Sequence, residues 1–375
     1  MILTEKKDRT DSIPKDTIRN NNGIKKNNRL TPEYFPSGLK RNRVSYQIDD
    51  LIDSLSRYTG FPEEFITSFG NPNQMREAVI RMAVNRGDNI IIAGPTDILF
   101  PLDTDGIGAT RICHYGASPF NPDSEGLLEK VDDKTALIFL ANPGSPTGAV
   151  YGPDDILQIL EAAPQAWLLI DETLFEYGGI TVSGMIRRHD NLLVLRTFTE
   201  AFKLAGNPCS YLLSSPAAKR KLKAFAGDRT PSEAAVTAAV SALANLESLN
   251  KRMERIRENM IFLSVKLRSL GVAGRITPLD LFLIKANDVA AVISFLKDND
   301  IFAADLSYLP QMENYIGIHL HDDNFSNRLI ATFEKMPAEY YRTPGLARTR
   351  IIMHRRREEA ASPDFMPELV DNSIT

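Results

Sequence analysis

Glu200 and Lys203 lie three residues apart in segment 192–215, and their side chains suit proton and amine chemistry. A carboxylate can take up and return a proton, and a lysine amine can form an imine with a carbonyl group. Side chains three residues apart in a helical turn share a face, so an inward Lys203 would reach the same space as Glu200. The preferred interpretation is an ordinary solvated lysine. An apolar run at 192–195 precedes them and predicts a buried strand, and a second strand is predicted at about 211–213.

Further candidate residues follow other predicted strands. Asp171 and Glu172 come directly after a strand at 167–170, and Ser145 lies in the loop ANPGSPTG that follows a strand ending at about residue 140. An acidic pair in this position is also typical of a helix cap, and a Pro/Gly-rich loop is common without any function.

Apolar runs that alternate with helical patterns predict an α/β fold built on a mostly parallel sheet, with helices on both faces. The predicted strands are 65–68, 89–93, 110–114, 136–141, 167–170 and 192–195. The predicted helices are 47–58, 73–84, 124–131, 154–163 and 180–188. Parallel sheets of this kind place chemistry beyond the carboxyl ends of their strands, where the candidate residues fall.

Segment 196–206 reads Arg-Thr-Phe-Thr-Glu-Ala-Phe-Lys-Leu-Ala-Gly. It resembles the fold-type I pyridoxal 5'-phosphate (PLP) enzymes, in the branch of histidinol-phosphate aminotransferase and threonine-phosphate decarboxylase. That branch carries Arg-Thr-x-Ser-Lys-x-x-x-Leu-Ala-Gly, and its lysine forms an imine with the cofactor. Aligned without gaps, the matching residues here are Arg196, Thr197, Leu204, Ala205 and Gly206. The lysine position is Glu200.

The resemblance implies a role for each aligned position. Gly70 and Asn71, at the start of helix 73–84, correspond to the turn that binds the cofactor phosphate. Ser145 stands at the asparagine that bonds the ring hydroxyl, and Asp171 at the aspartate that pairs with the pyridine nitrogen. The remaining cofactor-binding positions are Thr197 and Thr199.

Other positions depart from the family pattern. The departing residues are Asp97 for a stacking aromatic, Leu174 for a tyrosine, Pro208 for a phosphate-binding arginine and Gly317 for the arginine that holds the substrate carboxylate. With Glu200, they lead to the hypothesis of an aminotransferase-family protein with a degenerate PLP site. This protein would bind or transform an amino-acid-like small molecule.

The alternative is a working PLP-dependent aminotransferase or decarboxylase that uses Lys203 or holds PLP without a covalent bond. A nicotinamide-dependent dehydrogenase is disfavoured, because Gly106-Ile107-Gly108 lacks the spacing of a dinucleotide-binding motif. His319 and His321 alternate on one predicted strand, but two histidines without a clustered partner do not indicate a metal site.

The chain organisation is predicted from composition, pattern and the resemblance. The predicted segments are a disordered polar arm (1–30), the N-terminal part of a small domain (31–60), a large α/β domain (61–235), a linking helix with a small α/β domain (236–340) and a charged, disordered tail (341–375). The family builds its sites from two subunits, so the resemblance implies a homodimer.

Composition sets the remaining expectations. The net charge of -4 gives no reason to expect nucleic-acid binding, and no apolar stretch approaches the ~20 residues that cross a bilayer. With Cys113 and Cys209 as its two cysteines and no apolar leader, the chain is expected to be a soluble protein of the cytoplasm.

Overall fold

The computed structural model describes residues 45–96, 104–178, 180–227, 229–320 and 323–342. The predicted arm and nearly all of the predicted tail lie outside these ranges, as do Asp97 and His321. The domain boundaries proposed from the sequence therefore stay predictions.

Eleven strands and eleven α-helices are assigned within the described residues. The strands are β1 (Ile66–Phe69), β2 (Asn89–Gly94), β3 (Thr110–Tyr115), β4 (Thr135–Ala141), β5 (Trp167–Asp171), β6 (Leu192–Thr197), β7 (Ser210–Ser214), β8 (Ala273–Ile276), β9 (Leu281–Lys285), β10 (Ala304–Asp305) and β11 (Tyr315–His319). The helices are α1 (Ile48–Thr59), α2 (Pro72–Ala83), α3 (Thr104–Ile107), α4 (Ser124–Leu128), α5 (Pro153–Ala162), α6 (Phe175–Gly178), α7 (Pro216–Ala226), α8 (Glu233–Leu243), α9 (Leu246–Ser269), α10 (Val289–Lys297) and α11 (Asp323–Lys335).

The first seven strands form one sheet in the order β1-β7-β6-β5-β4-β2-β3. Strands β2 to β6 pair in parallel, and β7 runs antiparallel to both of its neighbours, β6 and β1. Apolar clusters cover both faces of this sheet, so its central strands are buried on each side. The predicted α/β fold with a mostly parallel sheet is confirmed.

The last four strands form a separate antiparallel sheet in the order β10-β11-β9-β8. One face packs on apolar residues of α9, α10 and α11. The other face forms a smaller cluster with Phe120 and Leu174, which belong to connections of the larger sheet. The two sheets therefore share an apolar contact close to the predicted site.

The predicted helix at 180–188 is wrong. A 3₁₀ helix at Ser183–Arg187 replaces it. The cause lies at the start of the segment, where Glu172 accepts hydrogen bonds from the Val182 N–H and the Thr181 hydroxyl. These bonds hold the start of the segment beside Glu172, and the backbone at 180–182 is not helical.

A buried network of charges lies next to the carboxyl end of β5. Arg196 of β6 binds Glu172 through Nε and Nη2, at 3.0 and 2.9 Å, and its guanidinium stacks 3.7 Å from the centre of the Phe175 ring. The Tyr58 hydroxyl donates to Glu176 at 3.2 Å, but Glu176 Oε2 has no partner among the described residues. Burial raises the pKa of both glutamates against the attraction of Arg196, and that of Glu176 reaches about 7.

The raised pKa of Glu176 predicts a stability that depends on pH. Between its ordinary value of 4.5 and about 7, the folded protein keeps a proton that the unfolded chain has released. The free energy of unfolding should therefore fall as the pH rises through this range. The glutamine of Glu176→Gln cannot ionise, so the variant should not show this loss. From pH 5 to pH 8, its free energy of unfolding should therefore rise by up to about 3 kcal/mol relative to that of the native protein.

Urea denaturation at half-unit pH steps measures this difference, and Glu258→Gln, at an exposed position of α9, is the matched control. The control curve should run parallel to that of the native protein. If the Glu176→Gln curve also runs parallel, Glu176 is ionised in the fold and the prediction is wrong.

Candidate functional site

The carboxyl ends of β4, β5 and β6 meet at one edge of the large sheet. Ala141 pairs with Asp171, and Asp171 pairs with Leu195 on its other side. The loop after β4 and the turn after β6 therefore flank Asp171. Ser145 lies in the loop after β4 and Glu200 in the turn after β6, so both segments leave the sheet at the edge where Asp171 ends β5.

Asp171 is fully enclosed, with a side-chain exposure of 0%. Its Oδ2 accepts hydrogen bonds from Nε and Nη2 of Arg76 at 2.9 and 2.5 Å. Its Oδ1 accepts from the backbone N–H and the hydroxyl of Thr173 at 3.1 and 2.6 Å. A carboxylate has about four acceptor positions, so the protein itself satisfies all of them.

Arg76 is the site residue that the sequence analysis missed. It lies on the buried face of α2, beside Met75 and one turn before Ile80, and its side chain is only 7% exposed. Its Nη1 donates to Asn73 at 2.6 Å, so all three guanidinium nitrogens have partners. A charged residue inside an apolar helical stripe was the available signal, because an arginine is almost never fully buried unless it is paired.

Several hydrogen-bond donors at the N-terminus of α2 are already paired within the protein. The Gly70 N–H donates to the Arg229 carbonyl at 2.9 Å, and the Asn71 side chain caps the helix by accepting from the Gln74 N–H at 3.0 Å. Pro72 has no N–H. Gly70 and Asn71 thus lie at a helix N-terminus, as predicted. The Gly70 N–H and the Asn71 side chain bond to other groups of the protein.

Thr197 and Thr199 form a hydroxyl cluster at the end of β6. The Thr197 hydroxyl donates to the Cys209 carbonyl at 3.1 Å, accepts from the Thr199 N–H at 3.1 Å and lies 3.0 Å from the Thr199 hydroxyl. Thr197 is buried, whereas Thr199 is half-buried at the start of the turn. Of the two, Thr199 is therefore the one that a ligand can reach.

Glu200 and Lys203 belong to a single turn rather than to a helix, which corrects the predicted helical geometry. The Lys203 N–H donates to the Glu200 carbonyl at 3.0 Å. Lys203 has a φ of 58°, in the left-handed region that ends a helical path. Both residues are exposed, and the Lys203 amine binds Asp280, the residue before β9.

The Lys203 amine binds Asp280, which also holds two other side chains. Lys203 Nζ and the Tyr177 hydroxyl donate to Asp280 Oδ2 at 3.1 and 3.2 Å, and His319 Nδ1 lies 3.2 Å from Oδ1. Burial opposes the ionisation of Asp280, but the His319 hydrogen bond and the Lys203 charge outweigh it and hold its pKa at about 2. Asp280 therefore joins the turn after β6 and α6 to the smaller sheet.

Ser145 lies half-buried in the loop after β4. The Gly144 N–H donates to the Ala149 carbonyl at 2.8 Å. The Asn142 side chain donates to the Tyr151 carbonyl and accepts from the Tyr151 N–H. A depression that is open to solvent lies beside this loop. It is lined by residues that include Gly94, Thr96, Gly144, Thr147 and Tyr151.

Two of the positions that differ from the family pattern lie in an apolar cluster. Leu174 packs against the leucine cluster of the smaller sheet, and Gly317 of β11 faces the same cluster. A Cβ added at Gly317 would lie 3.0 Å from Leu281 and 3.4 Å from Leu306. Space for an arginine side chain at residue 317 is therefore taken by leucines. Pro208 is exposed.

The histidine pattern of β11 is only partly described. His319 pairs with Asp280, and His321 lies outside the described residues. Within the described part of the chain, no group of three or more histidine, cysteine, aspartate or glutamate side chains is placed to hold a metal ion. In the same part, no helix combines the length and apolarity needed to cross a bilayer.

Solved structures share this architecture. The PLP complex of histidinol-phosphate aminotransferase from Sinorhizobium meliloti superposes with a TM-score of 0.70 and 22% identity, over 77% of this chain and 82% of that one. L-threonine-O-3-phosphate decarboxylase from Porphyromonas gingivalis gives a TM-score of 0.62 with 18% identity, over 76% of this chain and 87% of that one. At these identities, the likeness extends to the fold, which is that of the fold-type I PLP enzymes.

Sequence relatives agree with this fold. Histidinol-phosphate aminotransferases from Methanococcoides burtonii and Methanosarcina barkeri are each 30% identical, over 219 and 250 residues. These matches cover 58% and 66% of this chain and 61% and 65% of the relatives, so the chain spans just under two thirds of their length. The sequence profile of aminotransferase class I and II matches residues 40–302, and the chain therefore belongs to the class I and II aminotransferase family.

Proposed function

We propose that this family member binds or transforms an amino-acid-like small molecule without an imine-linked PLP. One observation carries the proposal: a gap-free alignment through Arg196, Thr197, Leu204, Ala205 and Gly206 puts Glu200 at the lysine position. A carboxylate can move a proton, but it cannot form an imine.

The other positions that the resemblance assigns to the cofactor support the same function. PLP, where bound, supplies an electron sink for reactions at an amino-acid carbon. The donor set described here does not fit that group well, because Asp171 is saturated by Arg76 and Thr173 and the Gly70 N–H is used by Arg229.

Glu200 suits proton transfer to or from a ligand at this edge of the sheet. Its carboxylate is exposed, and the neighbouring Thr199 hydroxyl could orient a ligand oxygen. The named relatives act on histidinol phosphate, which favours a ligand that carries an amino group. A homodimer is part of the proposal on the family resemblance alone, and a cytoplasmic location is part of it on the cysteine content.

A working PLP enzyme remains the second candidate. It is favoured by the relatives' aminotransferase names and by the 52% exposure of the Lys203 side chain, which leaves the amine accessible. The ion pair of this amine with Asp280, the residue before β9, weighs against it.

The visible absorption spectrum of the purified protein with PLP, before and after borohydride, separates the two candidates. We expect no stoichiometric band that borohydride reduces, because no lysine stands at the imine position. Lys203→Ala should give the same spectrum as the native protein, and Lys251→Ala, at an exposed position of α9, controls for surface lysines.

A stoichiometric reduced adduct mapped to Lys203 by mass spectrometry would falsify the proposed function. That adduct should be lost in Lys203→Ala and kept in Lys251→Ala. Such a result would establish the second candidate.

The role of Lys203 as the partner of Asp280 is tested by stability. In a double-mutant cycle of Lys203→Met and Asp280→Asn, we expect a coupling of about 0.5 to 1 kcal/mol, since solvent screens a half-exposed ion pair. Both single variants should lose stability, and the double variant should lose less than their sum.

Urea denaturation at pH 7 measures the cycle. Lys297→Met combined with Asp280→Asn is the control, because Lys297 is in the last turn of α10 and does not contact Asp280. Strict additivity in the Lys203 cycle would show that the ion pair does not hold Lys203, and the amine would then be available for other chemistry.

A further inference from the structure

The contacts of Asp171 leave it unavailable to a ligand. Its side chain is 0% exposed, and both oxygens accept two hydrogen bonds each from Arg76 and Thr173. A cation placed by a ligand against this carboxylate would first have to displace one of these donors.

Arg76 is held too firmly to be displaced easily. Its third nitrogen, Nη1, binds Asn73 on the same helix, and the whole side chain is 7% exposed. The guanidinium is planar and permanently charged, and it grips one carboxylate oxygen with two N–H groups. Moving it away would leave a buried carboxylate without a counter-charge, which is strongly unfavourable.

We propose that Arg76 is a resident counter-ion that closes the Asp171 position to a cationic ring. The arginine charge takes the place that a protonated pyridine nitrogen would occupy. This inference deepens the proposed function and rests on it in part. The proposed function concerns the imine, which Glu200 cannot form, and the inference adds the contact between the pyridine nitrogen and Asp171. It concerns non-covalent PLP as well, which Glu200 alone does not exclude.

The test removes the guanidinium and asks whether a ring can replace it. The probe is pyridoxine 5'-phosphate, which carries the ring nitrogen but has no aldehyde and cannot form an imine. In Arg76→Met, the probe should raise the melting temperature by about 5 °C when its concentration is a hundredfold above its dissociation constant. The native protein should show no rise at the same concentration.

Controls separate the ring nitrogen from other effects. Inorganic phosphate should not stabilise Arg76→Met, which excludes a phosphate effect. Arg81→Met, an exposed arginine of the same helix, should behave like the native protein. In Arg76→Met/Asp171→Asn the probe should have no effect, because the carboxylate charge that attracts the ring is gone.

Two results would overturn the inference. One is a probe-induced rise in the native protein as large as in Arg76→Met, and the other is a folded Arg76→Met that the probe does not stabilise. If Arg76→Met does not fold, Glu200→Lys decides instead: saturable, stoichiometric PLP binding with Arg76 in place contradicts the inference, and weak, non-saturating binding supports it.

These outcomes are distinct from a failure of the proposed function. A reduced imine on Lys203 of the native protein overturns the proposed function without any measurement on Arg76. The melting experiment with pyridoxine 5'-phosphate overturns only the inference about Asp171, since the probe cannot form an imine.

Discussion

The ion pair between Arg76 and Asp171 is the interaction on which the site depends. It connects the first turns of α2 to the end of β5, at 2.5 and 2.9 Å, inside an apolar surrounding. A buried pair of this kind contributes little over an apolar pair of the same shape, but loss of one partner costs about 3 to 5 kcal/mol. The arrangement is therefore fixed: neither residue can change alone without loss of stability.

A second buried arginine repeats the arrangement one strand away. Arg196 of β6 pairs with Glu172 and stacks on Phe175, so the last residue of β5 and the residue after it are held by arginines from two different elements. The first of these contacts orders Asp171, and the second orders the segment that leads to Val182. The two pairs give this edge of the sheet a rigid charged interior, while Glu200 and Thr199 lie at the accessible turn.

Much of the fold was predictable from the sequence, because buried parallel strands appear as short apolar runs between helical patterns. The predicted strand at 192–195 and the helix at 73–84 match β6 and α2 to within two residues. The helix at 180–188 failed because a tertiary contact from Glu172 overrode local propensity. Short strands such as β8 and β10 were missed, since two to four residues carry too little periodicity.

The candidate site was predictable in position but not in contacts. Strand ends identified Asp171 and the turn with Glu200, because chain order and topology determine which ends meet. Arg76 was missed since its partner lies 95 residues away, and no local pattern links the two. The orientation of Lys203 likewise depended on Asp280, 77 residues further along the chain.

The close packing at Gly317 bears on how such a protein can change over evolutionary time. Leu281 and Leu306 lie within 3.4 Å of where its Cβ would be, and Leu174 belongs to the same cluster. An arginine that arose at residue 317 would meet these leucines, so its first effect would be a loss of folding stability rather than a gain of activity. Any larger side chain at residue 317 would therefore need compensating changes in the neighbouring leucines.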